Sequence, residues 1–216
     1  MNKKKTLILI PCMDTVYTDF MMSLVNLERT PNTFCAFTKS SLIYSARNSL
    51  AKQAIDGDFD RILWLDSDMS FDKDLMVRLS ERLDEGYDFV SGIYFKRNYP
   101  TSPVIYKEII YKKLPSGGVE PVVVPYEDYP KDSIFPIEAA GFGSVMMTTE
   151  LLKKIWDTFG LPFSPILGFG EDISFCYRAK QLGLNLYCDS SIKMKHLGLM
   201  YFDETTYLSQ FEEVEQ

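Results

Sequence analysis

The chain has 216 residues, 46% hydrophobic, 14% aromatic and 25% charged, a composition that suits one globular domain with a sizeable core and excludes a disordered or fibrous chain. Its formal net charge of −7 excludes the broad basic footprint that duplex nucleic acid or an anionic membrane requires, so an anionic ligand needs a local solution such as a divalent cation. Cys12, Cys35, Cys176 and Cys188 form no C-x-x-C pair, and Pro11 breaks a short first apolar run; a reduced, cytoplasmic protein with no secretory signal or membrane span is expected.

Residues 5–10, "KTLILI", form an apolar run ended by proline, the pattern of a strand buried on both faces. Residues 14–27 are expected to be helical, with Phe20, Leu24 and Leu27 at helical spacing. The segment "SLIYSARNSLAKQAIDGD" predicts a second helix, because Ala46, Leu50 and Ala54 share a face and Gly57 is placed to end it. Residues 61–65 predict the next strand. In "SFDKDLMVRLSERLDEG", Leu75, Leu79 and Leu83 make a stripe, Ser70 or Asp72 is expected to cap, and Gly86 lies past the end. With the strand "YDFVSGIYF", the first hundred residues read strand, helix, helix, strand, helix, strand. That order predicts an α/β protein, Rossmann-like, with an open, mostly parallel sheet flanked by helices.

Beyond residue 100, "SPVIYKEIIYKKL" and "VEPVVVPY" flank the turn "PSGG" and predict a small antiparallel hairpin insertion, kept off a central position by its prolines. "IEAAGFGSVMMTTELLKKIW" predicts a strand, a Gly-rich bend, a short strand and a helix from Thr149. A further helix is expected in "GEDISFCYRAKQLG", then the strand "NLYCDSS" and the segment "KMKH". The acidic end, 199–216, is expected to be a loosely docked helix or a tail.

The strand "RILWL" runs straight into Asp66 and Asp68. In open parallel sheets, ligands bind beyond the carboxyl ends of strands. Two carboxylates this close must share a proton or a cation, and hard oxygen ligands favour Mg²⁺ or Mn²⁺. The alternative is a turn in which Asp and Ser serve the following helix. His196, the one histidine, is either a packed ring or a third ligand that shifts preference toward Mn²⁺. Glu171 and Asp172 open a helix, so they are either caps or the source of a general base beside a Gly-permitted bend.

Taken in order, "LILIPCMD", "YSARN", "LWLDSDMSF", "SGIYFKR", "AAGFGSVMMTTELLKKI", "GFGEDISFC" and "KMKHLG" resemble the metal-dependent, GT-A-type glycosyltransferases that use nucleotide-diphosphate sugars. The resemblance spans residues 5–198 and implies one domain over 1–198, with a nucleotide-binding half over about 1–100 and an acceptor-binding half over about 101–198. It implies that Asp66 and Asp68 form the D-x-D that holds the metal and approaches the donor, with Asp68 the more direct ligand and His196 a third. Pro11, Asp14 and Arg47 are then donor contacts, and residues 141–144, including Gly141 and Gly143, line the sugar or acceptor pocket. Asp172 matches the base of inverting members, with Glu171 beside it to bind acceptor hydroxyls. Lys96 and Arg97 either neutralise the diphosphate or are surface charge.

The implied cofactor is Mn²⁺ or Mg²⁺, and the implied donor a UDP-sugar or another nucleotide-diphosphate sugar. The acceptor could be a glycan, a protein, a small molecule or a nucleobase. Three rivals stand beside this reading. A haloacid-dehalogenase-like phosphatase also has D-x-D after a strand, but expects Thr or Val where Ser70 stands. A sugar-phosphate nucleotidyltransferase expects a Gly- and basic-rich loop where "IPCMDTVY" stands. A binding module could keep the fold without turnover.

Overall fold

The computed structural model describes residues 4–113, 115, 117–198 and 201–212. In chain order it contains β1 (Thr6–Cys12), α1 (Thr18–Asn26), β2 (Thr33–Lys39), α2 (Ile43–Asp56), β3 (Arg61–Leu65), β4 (Met69–Ser70), α3 (Leu75–Asp84) and β5 (Phe89–Ile93). The second half contains β6 (Ile105–Lys113), β7 (Val119–Pro125), β8 (Ile134–Ile137), β9 (Ala139–Ala140), β10 (Ser144–Thr148), α4 (Thr149–Phe159), α5 (Glu171–Gln181), β11 (Leu186–Lys193), β12 (Lys195–His196) and α6 (Glu204–Glu212).

The central sheet has seven strands in the order β2-β1-β3-β10-β5-β11-β8, with only β10 and β8 running against the rest. This is the expected α/β, Rossmann-like class with a mostly parallel sheet. Every residue of β3 is buried, so both faces of the sheet are covered at its middle. β10 inserts between β3 and β5, so strands from both halves of the chain share one sheet. Below the site lies an aromatic cluster in which Trp64, Phe142, Phe163 and Phe175 meet at centroid distances of 4.7–6.0 Å.

The expected hairpin is β6 paired antiparallel with β7, and β9 extends it to three strands. Pro121 and Pro125 lie in β7, the outer strand, where a missing N–H breaks no ladder inside the sheet.

Three features differ from the sequence expectation. The edge strand β2 was not expected: its burial is partial along its length, so it lacks the dense apolar run that marks β1. Helix α1 begins at Thr18, not residue 14, because Tyr17 is extended (φ −67°, ψ 141°) and the buried side of the helix starts only at Phe20. Neither Ser70 nor Asp72 caps α3: Ser70 belongs to β4, paired with β12, and the helix starts at Leu75 behind Asp74.

At the C-terminal end, α6 is docked. Tyr207 stacks on Phe95 at 4.8 Å, and the Gln210 amide pairs with the main-chain N and O of Thr101 at 2.8 and 2.9 Å. Residues 199–200 and 213–216 of the expected tail lie outside the described residues.

Candidate functional site

β1, β2 and β3 run parallel and end on one edge of the sheet, and β2 and β3 flank β1 on opposite sides. The chain therefore changes side at β1, and a crevice outside the carboxyl ends of the strands is expected there. A cleft of about 540 Å³ occupies that place. Pro11, Cys12, Met13, Thr15, Val16 and Tyr17 after β1 form one wall, and Ser40, Ser41 and Ile43 before and on α2 form another. Arg47, the Asp66-Ser67-Asp68 turn after β3, and Glu171 at the start of α5 complete it.

Arg47 is 2% exposed. Its Nη2 donates to both oxygens of Asp66, at 2.8 and 3.1 Å, and its Nε donates to Oε1 of Glu171 at 3.2 Å. Nη1 has no hydrogen-bond partner. The guanidinium carbon lies 5.3–6.0 Å from the ring centres of Trp64, Phe142 and Phe163, whose electron-rich faces attract it. Arg47 lines the cleft as expected; Nη2 and Nε are engaged by the protein's own carboxylates, and Nη1 is left without a partner.

Burial lifts the Asp66 carboxyl to about 6 against the pull of Arg47, with Asp68 and Glu171 pushing the same way as burial. Asp68 behaves oppositely. Burial works to raise it, but the hydrogen bond and charge interaction with His196, together with Arg97, hold it below the ordinary range. Arg97 Nη1 lies 2.9 Å from Asp68 Oδ2 and donates to the Leu197 carbonyl at 3.0 Å. That makes Arg97 an ion-pair partner of the D-x-D. Lys96 instead lies over the Tyr106 ring at 5.8 Å.

His196 reaches the same corner because β12 pairs with β4, opposing His196 to Met69. Its Nε2 lies 3.5 Å from Asp68 Oδ2, while Nδ1 is 2.9 Å from the Phe95 carbonyl. A carbonyl only accepts, so Nδ1 carries the proton. Nε2 of the neutral ring then presents a lone pair to a carboxylate oxygen, and only a second proton or a metal cation between them makes that contact attractive.

Glu171 faces the cleft, while Asp172 lies behind it. Burial and the neighbouring Glu171 raise the Asp172 carboxyl to about 6, and Oδ1 accepts from the Ile173 N–H at 2.7 Å. Behind burial, the charge of Asp172 helps push the Tyr106 phenol upward, and with Asp66 that of Tyr94. Gly170 holds the approach open, since a Cβ there would lie 3.2 Å from Asp172 Oδ1.

Other expected site residues stand elsewhere. Asp14 is highly exposed, pairs with Lys39 on the surface, and is not part of the cleft wall. Gly141 and Gly143 are buried behind the cleft, packed on Tyr94 and Val104. Sequence reasoning did not find Tyr17, Ser40, Ser41 or Tyr94; the first three lie in loops with no periodicity, and Tyr94 reads as the end of a core strand.

Among the described residues no three His, Cys, Asp or Glu side chains already converge as a cation cage. Asp68 and His196 nevertheless fit one side of such an ion. Mg²⁺-type sites commonly take one or two carboxylates and fill the rest with phosphate oxygens and water. Asp66, both of whose oxygens accept from Arg47, is a poorer ligand than the D-x-D pattern implies.

No family model and no curated protein matches the chain. Among solved structures it is similar to A197 from STIV, with 20% identity over 90% of this chain and 86% of that chain and a TM-score of 0.65. At that identity the likeness is one of fold alone. No described helix is long and apolar enough to cross a membrane.

Replacing Arg47 by Met strands two partly buried acids, which is expected to destabilise the fold by about 3 kcal/mol near neutral pH. Asp66 then holds a proton more tightly folded than unfolded, so the deficit shrinks as pH falls toward about 4. Adding Asp66→Asn recovers part of the loss. Urea unfolding at two pH values measures this, and an unchanged midpoint for Arg47→Met contradicts it.

Proposed function

We propose that this chain is a metal-dependent glycosyltransferase that moves a sugar from a nucleotide-diphosphate sugar, a UDP-sugar by preference, to a hydroxyl-bearing acceptor. The observation that carries the reading is the pair of acceptors, Asp68 Oδ2 and His196 Nε2, facing each other at 3.5 Å beside the cleft at the carboxyl end of β3. Four free cysteines agree with a reducing, cytoplasmic setting.

In this reading the nucleotide lies in the cleft between the β1 loop and Ser40-Ser41, with Asp68 and His196 at its diphosphate end. Asp68 and His196 would hold a divalent cation there, and the chemistry it would supply is Lewis acidity toward the charge that develops on the departing nucleoside diphosphate. Asp172 takes the proton of the attacking hydroxyl, a contribution of roughly 10² to 10⁴ in rate. A carboxyl raised to about 6 suits a base that works near neutral pH. Glu171, anchored by Arg47, orients acceptor or donor hydroxyls.

The bidentate hold of Arg47 on Asp66 weighs against a phosphatase in which that aspartate is the nucleophile. One observation favours a second reading, a donor-binding module without turnover: Arg47 and Arg97 already neutralise both aspartates. Incubation with Mn²⁺ and a panel of nucleotide sugars, following nucleoside diphosphate release, separates these. Metal-dependent release from one donor supports transfer; donor binding with no release supports the module.

Asp68→Asn is expected to lower donor affinity in Mn²⁺ at least tenfold while the fold is retained, because it removes a proposed direct ligand. Calorimetric titration checks this, and unchanged affinity defeats the metal role. Asp172→Asn should keep donor binding and slow transfer at least 10²-fold. In the wild type the transfer rate should rise with pH through about 6, as Asp172 loses its proton, and then level off. Because folded Asp172 binds its proton more tightly than the unfolded chain does, its ionisation lowers stability between the two pKa values. Asp172→Asn should therefore stabilise the fold near neutral pH and lose that gain near pH 4. A rate that falls as pH rises through 6 contradicts the base assignment.

A further inference from the structure

His196 is held by the two residues that follow β5, and the Gly-rich bend before β10 is shaped around one of them. The Phe95 carbonyl accepts from Nδ1 at 2.9 Å, which leaves Nε2 to face Asp68. Tyr94 meets the imidazole edge-on, with centroids 5.4 Å apart and planes at 90°. The Tyr94 hydroxyl in turn accepts from the buried N–H of Gly143 at 3.2 Å, and the Gly143 carbonyl accepts from the N–H of Asp66 at 3.2 Å. One buried side chain thus connects the histidine to the main chain of the first aspartate.

The two glycines leave room for that side chain. A Cβ on Gly141 would collide with the Tyr94 hydroxyl and come within 2.6 Å of Val104 Cγ1. On Gly143 it would stand 2.8 Å from Tyr94 Cζ and 3.0 Å from Met69 Sδ. Neither glycine lines the cleft, and what stands closest to both is the Tyr94 side chain.

We infer that Tyr94 is a positioning residue for His196, its ring setting the plane in which Nε2 points at Asp68, and that the Gly141-Phe142-Gly143 bend is the seat for that ring. This rests on the proposed cation site for its purpose, but the orientation of the ring is tested without any added metal first. An imidazole that is free to turn loses the Phe95 bond and populates both tautomers. One held by ring and carbonyl keeps the proton on Nδ1.

With one histidine in the chain, the imidazole ¹⁵N spectrum is a single spin system. At about pH 8.5, where imidazole is neutral, the wild type and Tyr94→Phe are expected to show the Nδ1–H tautomer alone, and Tyr94→Leu a mixture. Gly141→Ala, which crowds the ring from behind, provides the same readout should Tyr94→Leu not fold.

In Mn²⁺ titrations with UDP followed by electron paramagnetic resonance, Tyr94→Leu should weaken binding about tenfold and Tyr94→Phe less than threefold. The Tyr94→Leu loss should vanish in a His196→Ala background, which a general loosening of the core would not do. A pure Nδ1–H tautomer in both Tyr94→Leu and Gly141→Ala overturns the inference, as does an equal loss of Mn²⁺ affinity with and without His196. If the wild type binds no Mn²⁺, the cation reading fails, while the spectrum still decides the role of Tyr94.

Discussion

The cleft depends on one buried guanidinium. Asp66 arrives on the end of β3 and Glu171 on the start of α5, and both are drawn out of water beside Asp68 and Asp172. At an effective dielectric of about 20, two like charges 4 Å apart repel by about 4 kcal/mol, so these elements would not close on one another unaided. Arg47 offsets that repulsion with three charge-assisted hydrogen bonds. Helix α2 can deliver it because Ala46, Leu50, Ala51 and Ala54 pack that helix into the core and carry Arg47 inward with them. The three rings around the guanidinium replace the water it gives up.

The compensation is incomplete, and that is where the chemistry arises. Asp66 and Asp172 both stay reluctant to ionise, whereas Asp68, with Arg97 and His196 before it, ionises readily. Around the cleft, four carboxylates face two guanidiniums, so the corner carries surplus negative charge when His196 is neutral. In the proposed function a divalent cation would remove that surplus and at the same time give an anionic ligand something to bind in a chain whose net charge is −7. Carboxyls pushed apart in their readiness to ionise are the pattern by which one site separates a ligand role from a proton-accepting one.

Much of this was legible in the residues, and the parts that were not share a cause. Buried strands such as "KTLILI" and "RILWL" announce themselves because both faces are apolar, and the acids at the end of β3 mark the edge of the sheet where the cleft lies. The edge strand β2 escapes notice because a half-exposed strand has no such density. Roles that depend on which atom meets which could not be read from order alone. Arg47, expected as a donor contact, lines the cleft and also braces Asp66 and Glu171; Gly141 and Gly143, expected at the sugar or acceptor pocket, are packed against a tyrosine. Arg97 read more readily as solvated surface charge, yet it is the ion-pair partner of Asp68, a pairing made by a loop that periodicity does not describe.

The central claim is that Asp68 and His196 together clasp a divalent ion that joins the chain to a pyrophosphate. Anomalous diffraction at the manganese edge, from crystals soaked with Mn²⁺ and UDP, tests it most directly. The account predicts a peak within coordination distance of both Asp68 Oδ2 and His196 Nε2, with a diphosphate oxygen as a further ligand. UDP bound in the cleft with no manganese at that corner, and His196 still paired directly with Asp68, would contradict it.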